Sequence, residues 1–136
     1  MSVYIKIFND SGIKNLALIK VERAVRRTLK SELVSKAEII IVYIKDAEIK
    51  KINKKFLKHN NITDVISFRL DESVLYGEIY IGTGRAIRQS KVYGVSLTKE
   101  LMRLAVHGTL HLIGYEDDTE NKSNEMFNLE NKYIES

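Results

Sequence analysis

The alternation of apolar and polar positions along the chain predicts short strands separated by amphipathic helices. Apolar side chains recur at every second position over 3–8, and an almost continuous apolar run over 37–44 is typical of a strand covered on both faces. Over 13–33 the apolar residues instead follow the turn of a helix, with Lys and Arg on the opposite face. The first third of the chain therefore predicts a strand, a helix and a second strand.

The rest of the chain continues with six further predicted elements. They follow in the order helix, strand, strand, helix, helix, helix and cover 46–57, 64–68, 77–81, 85–92, 97–113 and 120–133. Asp46 is suited to cap the first of these helices, and Gly114 is suited to end the long helix over 97–113. The order of elements predicts an α+β fold with one domain over residues 1–136, in which a mixed sheet of about four strands packs with about five helices.

Composition narrows the chemistry available to such a domain. The 136 residues include no Cys, which excludes disulfides, cysteine nucleophiles and thiolate metal sites. Any transition metal must then be held by His, Asp or Glu. No apolar run approaches the roughly 18 residues of a membrane span, and no signal peptide is recognisable at the N-terminus. We therefore expect a cytoplasmic protein without a membrane partner.

Charge is distributed unevenly along the chain. Residues 1–60 carry 14 basic and 6 acidic side chains, whereas residues 96–136 carry 4 basic and 8 acidic ones. The basic part is suited to attract a polyanion, and the acidic part is suited to hold cations. A solvated surface rich in lysine explains the same distribution, so charge alone does not decide between these interpretations.

The segment 107–118 carries the most specific chemical signal. His107 and His111 are four residues apart in the predicted helix, so both imidazoles leave one face and can bind the same metal ion. Gly114 lets the chain turn back, which brings Asp117 within reach as a third ligand. Three protein ligands leave a fourth position for water, as in catalytic zinc sites. The simpler alternative is a pair of packed helix histidines followed by a solvated acidic loop.

This spacing matches the metzincin zinc proteases except at two positions. The third ligand of those proteases is His, whereas this chain has Asp117, an oxygen ligand that zinc also accepts. The Glu that follows the first His in zinc proteases, and serves there as general base, is replaced by Gly108. Peptide hydrolysis by the usual route then lacks its base. Water activated by the metal remains suited to attack a phosphodiester.

Three segments resemble the YbeY family of bacterial metal-dependent endoribonucleases. The sequence HGTLHLIGY at 107–115 is similar to the family signature HGxLHLxGYDH. The sequence TDVISF at 63–68 is similar to the family's TDVLSF segment, and GEIYI at 77–81 is similar to its GDIxI strand. Glu100 and Arg103 also fall at the family's spacing ahead of the signature. The resemblance extends over most of the chain.

The resemblance implies a single-strand-specific, zinc-dependent endoribonuclease with a metzincin-like fold. Such an enzyme acts in the maturation of the 3′ end of 16S rRNA and in ribosome quality control, with the small ribosomal subunit as partner and no DNA substrate. The resemblance also implies one zinc ion per chain, held by His107, His111 and Asp117. Two alternatives stay open: a metallopeptidase of unusual type, and a non-catalytic ribosome-assembly factor with a structural metal. The sequence predicts neither the oligomeric state nor the general base.

Six further residues are candidates for binding the substrate. The family's basic residue ahead of TDVLSF aligns with Leu57, so we expect a neighbouring cation to take its place. The candidates are Lys58, His59, Asp64, Ser67, Arg85 and Arg88. Each has an ordinary alternative, because Asp and Ser also cap strand ends and cations on a helix surface are commonly just solvated.

Overall fold

The computed structural model describes residues 2–52, 65–71 and 74–135. Within these residues four strands form one sheet that packs with five helices, as the order of apolar patterns predicts. In chain order the elements are β1 (Ser2–Asn9), α1 (Ile19–Ser31), β2 (Lys36–Ile44), α2 (Asp46–Ile52), β3 (Val65–Asp71), β4 (Leu75–Gly82), α3 (Thr83–Tyr93), α4 (Leu97–Ile113) and α5 (Glu120–Ile134). The last part of the predicted helix over 46–57, from 53 onward, lies outside the described residues.

The sheet is mixed, with strand order β1-β2-β4-β3. Strands β1, β2 and β4 run parallel, and β3 pairs antiparallel with β4 at the edge. Ile39, Ile41 and Tyr43 are alternate residues of β2 and are fully buried in the main core. Val42 lies on the other face and packs against a small cluster with Ile44 and Ile49, so this strand has apolar contacts on both faces. Among the helices that the structure describes, none has the length and apolar character that crossing a membrane requires.

Helix α1 begins at Ile19, later than the apolar spacing over 13–33 predicts. Asn15 has a φ of +63°, a left-handed conformation that a right-handed helix cannot contain. Leu16 and Ala17 nevertheless pack against the main core from this irregular segment. The apolar spacing thus identified Leu16 as an inward residue but was wrong about the backbone that carries it, and Ile19, which belongs to the same spacing, is exposed.

Helix α4 lies against the sheet at Gly108, and this contact positions the functional site. Gly108 is buried, and a Cβ added there would lie 2.8 Å from Cγ2 of Ile79 on β4. A residue without a side chain is therefore needed for this close approach of helix and sheet. Helix α5 also packs against α4, and Met126 and Tyr133 join a second core cluster there. The long helix is thus held by both the sheet and α5.

Candidate metal centre

His107 and His111 lie on consecutive turns near the C-terminal end of α4, and Asp117 lies in the segment that follows. The Nε2 atoms of the two imidazoles are 3.0 Å apart. Oδ2 of Asp117 lies 3.5 Å from Nε2 of His107 and 3.6 Å from Nε2 of His111. Both imidazoles are half-buried, whereas Asp117 is exposed. The structure therefore brings together the three residues that the spacing predicts, in a cluster that is partly exposed to solvent.

Gly114 makes the turn that returns the chain toward the cluster. Helix α4 ends at Ile113, and Gly114 has a φ of +124°, a conformation that L side chains rarely adopt. Its N–H donates to the carbonyl oxygens of Leu110 and His111, so the last turn of the helix is closed tightly. The chain then reaches Asp117 three residues later. The glycine predicted to end the helix is thus also what allows the third residue of the cluster to come back.

Each imidazole is held by a hydrogen bond through Nδ1, the ring nitrogen that does not face the cluster. Nδ1 of His111 lies 2.9 Å from the carbonyl oxygen of Tyr115, which can only accept a hydrogen bond, so Nδ1 carries the proton. Nδ1 of His107 lies 2.6 Å from Oε2 of Glu130 and donates to that carboxylate. In the neutral rings both Nε2 atoms then present lone pairs toward Asp117. Metal-ligating histidines are commonly oriented in this way.

The three converging atoms fit a tetrahedral metal ion. With these tautomers the two Nε2 atoms and the carboxylate oxygen are all acceptors, so their close approach is favourable only with a positive charge between them. Zinc bound at about 2.0–2.1 Å in tetrahedral geometry needs ligand atoms about 3.3 Å apart. The observed separations of 3.0, 3.5 and 3.6 Å lie around that value. Two nitrogens and one oxygen form a donor set suited to zinc.

A buried network of charges supports His107 from behind. Glu130 is only 2% exposed and accepts hydrogen bonds from Arg103 Nη1, at 3.2 Å, as well as from His107. Arg103 also binds buried Glu100 through two contacts, Nε to Oε1 at 3.0 Å and Nη2 to Oε2 at 2.6 Å. The position of Glu130, and therefore of the His107 ring, is fixed by this network.

Arg103 remains positively charged inside the network. Burial alone would lower the pKa of its guanidinium, but the hydrogen bonds and charges of Glu100 and Glu130 raise that pKa above its ordinary range. Two carboxylates and one guanidinium leave a net negative charge next to His107. A negative charge behind an imidazole strengthens that ring as a ligand for a cation.

Glu130 is the supporting residue that the sequence analysis missed. It lies four residues after Met126 and three before Tyr133, both of which are buried, so it shares the inward face of α5. A carboxylate is rarely buried unless it is paired. An acidic residue within an apolar helical stripe is therefore the signal that could have found it, although the pattern does not say which residue is its partner.

The side chain of Glu32, at the end of α1, supports the part of the cluster around His111. The hydroxyl of Tyr115 donates to Oε1 of Glu32 at 2.6 Å, and the hydroxyl of Tyr133 donates to Oε2. The hydrogen bond to Glu32, together with burial, raises the pKa of Tyr115 to about 12, so the phenol stays protonated at neutral pH. Because the carbonyl of Tyr115 holds His111, the contact with Glu32 also helps to fix that imidazole.

Two of the predicted substrate-binding residues, Arg85 and Arg88, lie on α3 and contact Asp46. Nη2 of Arg88 lies 2.9 Å from Oδ2 of Asp46, and the backbone N–H of Arg85 donates to Oδ1 at 3.1 Å. Within the described part of the chain, no hydrogen bond joins Arg88 to the cluster of His107, His111 and Asp117. The structure places this pair at the junction of α2 and α3.

The other predicted substrate-binding residues lie in or near the segment 53–64. Ser67 belongs to β3 and is paired with Ile79, the residue on which Gly108 packs. Its backbone is therefore one strand away from the contact between α4 and the sheet. Lys58, His59 and Asp64 lie outside the described residues, as does Leu57.

Comparisons with known proteins cover nearly the whole chain. A family model described as Endoribonuclease YbeY matches residues 6–136. Endoribonuclease YbeY of Chloroherpeton thalassium is 39% identical over 116 residues, which are 85% of this chain and 82% of the relative. Endoribonuclease YbeY of Thermotoga petrophila is 34% identical over 132 residues, which are 96% of this chain and 87% of the relative. The similarity therefore extends well beyond the metal motif.

A solved structure supports the same relationship. The solution structure of TM1509 from Thermotoga maritima is similar with a TM-score of 0.69 and a sequence identity of 30%. The match covers 96% of this chain and 87% of that protein. Sequence and fold thus point to the same group of relatives.

Proposed function

Because this chain belongs to the Endoribonuclease YbeY family, we propose that its cluster of His107, His111 and Asp117 binds one zinc ion and serves the cleavage of single-stranded RNA. Membership in the family makes the protein a metal-dependent hydrolase that cleaves RNA and acts in rRNA processing. Our proposal goes beyond family membership in three respects: the role of the three residues, the choice of zinc, and the preference for single-stranded RNA.

The observation that carries the proposal is the convergence of three acceptor atoms. Two Nε2 lone pairs and one carboxylate oxygen approach each other within 3.0–3.6 Å, and both rings are fixed by hydrogen bonds through Nδ1. Such an arrangement is unfavourable without a cation and matches the ligand spacing of tetrahedral zinc. Three protein ligands would leave one position of a tetrahedral ion open for water or substrate.

The residues of the chain orient this site, and the ion supplies the chemistry. When bound, zinc acts as a Lewis acid that polarises a phosphoryl oxygen and lowers the pKa of water. Glu130 and the carbonyl of Tyr115 keep the two imidazoles in the tautomer that presents Nε2. Asp117 is the most exposed of the three ligands and marks the side from which a substrate strand reaches the site.

The metallopeptidase alternative is disfavoured by the position of Gly108. In zinc proteases the residue after the first histidine is a Glu that serves as general base. In this chain position 108 faces the sheet, and a Cβ there would already lie 2.8 Å from Ile79. A carboxylate at this position would therefore lie in the contact between α4 and β4 rather than at the cluster.

We extend the proposal to the cellular role that the family resemblance implies. Residues 1–136 form one YbeY-like domain that works in the cytoplasm on rRNA of the small ribosomal subunit, in maturation of the 3′ end of 16S rRNA and in ribosome quality control. The proposed substrate contacts besides the cluster are Lys58, His59, Asp64, Ser67, Arg85 and Arg88.

Metal analysis combined with RNA cleavage tests the proposal. We expect the purified protein to hold one zinc ion per chain and to cleave single-stranded RNA. Asp117→Ala removes a ligand, so zinc content should fall and cleavage should drop by at least about 100-fold, because even residues behind the ligands typically contribute 10- to 100-fold. The matched control is Asp118→Ala, which removes only a surface ion pair with Lys122.

Each outcome of this experiment has a separate meaning. An unchanged zinc content in Asp117→Ala would eliminate Asp117 as an essential ligand. A zinc-loaded wild-type protein that cleaves no RNA would favour the assembly factor with a structural metal, and His107→Ala should then lower the melting temperature without affecting rRNA processing in cells.

A further inference from the structure

A broad groove lies near the other end of α4, opposite in position to the cluster. It has a volume of about 680 Å³ and is lined by residues of α1, the first turns of α4 and the end of α5. Its walls carry four cations and one carboxylate, namely Lys20, Arg23, Arg27, Lys99 and Glu135. We call this cavity the basic groove.

The carboxylate of Glu135 offsets only part of the positive charge of the basic groove, because four cations line it. In the part of the chain that the structure describes, Lys20, Arg23 and Lys99 form no ion pair, and all three are exposed. Arg27 donates a hydrogen bond to the carbonyl oxygen of Tyr133. This neutral acceptor holds the guanidinium in place but does not neutralise its positive charge. Arg88, by contrast, is paired with a carboxylate. The basic groove therefore offers a concentrated positive potential to a polyanion.

A second cavity adjoins the basic groove and shares Lys99 and Ile134 with it. It has a volume of about 370 Å³ and carries two large exposed rings, Tyr93 at 58% and Phe127 at 53% exposure. The guanidinium carbon of Arg103 lies 5.6 Å from the centre of the Tyr93 ring. We call this cavity the aromatic pocket. Exposed aromatic faces beside cations are the usual means of binding unpaired bases.

Residues of both cavities and of the cluster follow each other along α4. Lys99, Arg103, His107 and His111 follow each other at intervals of four residues, so consecutive members are neighbours on the helix surface, and each step turns by about 40° around the axis. Lys99 and His107 are about 12 Å apart along the helix axis. Arg103 lines the aromatic pocket and also binds Glu130, which holds His107. A strand that extends from the cluster toward the N-terminal end of α4 would therefore reach the aromatic pocket before the basic groove.

We propose that the aromatic pocket and the basic groove hold the substrate RNA on one side of the cleavage site. An unpaired base stacks on Phe127 or Tyr93, and the phosphates that follow contact Lys99, Arg23 and Lys20. Stacking tolerates any base, because each has a π-face, and it requires a base that is not paired in a duplex. The proposal rests on the proposed function for the direction of the strand, but the contacts themselves do not need the metal.

Binding measured in the presence of a chelator tests the basic groove separately from cleavage. The probe is a short fluorescein-labelled oligouridine, and its affinity is measured by fluorescence anisotropy. Arg23→Glu combined with Lys99→Glu should weaken binding by about tenfold or more. The logarithm of the binding constant should also fall less steeply with the logarithm of the salt concentration. The slope should decrease by about 0.7 for each phosphate that the protein no longer neutralises. The matched control is Lys14→Glu combined with Lys36→Glu, which makes the same charge change at two exposed lysines that line neither cavity.

The aromatic pocket is tested with a pair of phenylalanine variants. Phe127→Ala should weaken binding of the oligouridine by about five- to 100-fold and leave binding of an RNA duplex unchanged. Phe8→Ala is the matched control, because Phe8 is 50% exposed on β1, outside both cavities. Circular dichroism of each variant establishes that it is folded.

The outcomes separate this inference from the proposed function. Equal RNA affinity of the two charge-reversed proteins, or of the two phenylalanine variants, would overturn the assignment of these cavities to RNA, even if the protein cleaves RNA. Selective weakening in Arg23→Glu/Lys99→Glu and in Phe127→Ala would support it, even if the metal proves to be structural.

Discussion

The two ends of α4 differ in how their polar side chains are held. At the C-terminal end both imidazoles have hydrogen-bond partners, as does the carboxylate of Glu130 behind His107. At the N-terminal end the cations of the basic groove mostly face solvent. His107 is supported by Glu130, which in turn is held by Arg103. Lys20 and Lys99 belong to exposed helix surfaces, and no ion pair holds either of them in the part of the chain that is described. The same helix thus carries one rigid polar site and one loosely organised charged surface.

The difference matches the roles that we propose for the two ends. Binding a small ion requires ligand atoms at defined separations, so the rings must be fixed before the ion arrives. Attracting a polyanion requires only a high local potential, which flexible side chains supply without a fixed geometry. Substitutions behind the rigid site should therefore have large effects on metal binding and small effects on RNA affinity, and the reverse should hold for the basic groove.

Among substitutions outside the three proposed ligands, the largest effect on zinc binding is expected for Glu130→Gln. The substitution keeps the shape of the side chain but removes the negative charge of the group that accepts hydrogen bonds from His107 and Arg103. Zinc affinity should therefore fall about 10- to 100-fold. RNA affinity in the presence of a chelator should fall much less, because Glu100 still holds the guanidinium of Arg103 at the aromatic pocket. Zinc competition with a chromophoric chelator measures the first quantity, and anisotropy measures the second. Glu125→Gln, at an exposed position of the same helix, is the control.

If Glu130→Gln lowered zinc affinity and metal-free RNA affinity equally, the expected independence of the two ends of α4 would be contradicted. That result would mean that the two ends of α4 behave as one structural unit.

The next effect is expected for Gly108→Ala. The added methyl would lie 2.8 Å from Cγ2 of Ile79, so α4 has to move away from the sheet, at a cost of about 1–3 kcal/mol in the free energy of unfolding. Urea unfolding of the metal-free protein measures this cost. In an Ile79→Ala background, which removes the clashing atom, the same substitution should cost less. Equal costs in both backgrounds would show that the contact with Ile79 is not the reason for glycine.

The smallest effect is expected for Tyr115→Phe, which removes the hydroxyl that donates to Glu32. At neutral pH the loss should be about 0.5–1.5 kcal/mol in the free energy of unfolding. The pKa of this phenol is raised from 10.0 to about 12 in the folded protein. Its contribution is therefore fully present below about pH 10 and is lost as the pH rises through about 12.

Urea unfolding at a series of alkaline pH values tests this dependence. The difference between wild type and Tyr115→Phe should be constant below about pH 10 and should shrink between about pH 10 and 12. A difference that does not change across this range would show that the hydrogen bond to Glu32 does not stabilise the fold.

Much of the fold and of the cluster follows from local patterns in the sequence. The order of elements could be predicted because apolar residues follow the period of each strand or helix over short distances. His107, His111 and Asp117 could be predicted as a group because a helix turn and one glycine turn connect them. Neither inference needs contacts between distant parts of the chain.

What could not be predicted depends on tertiary contacts. Local patterns do not say that β4 lies between β2 and β3, nor that Asn15 interrupts the first helical pattern. They also do not pair His107 with Glu130, which lies on another helix. The basic groove is built from α1, α4 and α5, so its cations are scattered along the sequence and resemble ordinary surface charge there.

The contact between Glu130 and His107 has a consequence for truncated products. During translation the ribosome adds the three proposed ligands before it adds position 130. A premature stop codon between positions 118 and 129 would yield a polypeptide that retains the whole recognisable motif but lacks the carboxylate behind the first imidazole. A gene fragment that encodes only the motif would therefore not be expected to encode a working nuclease.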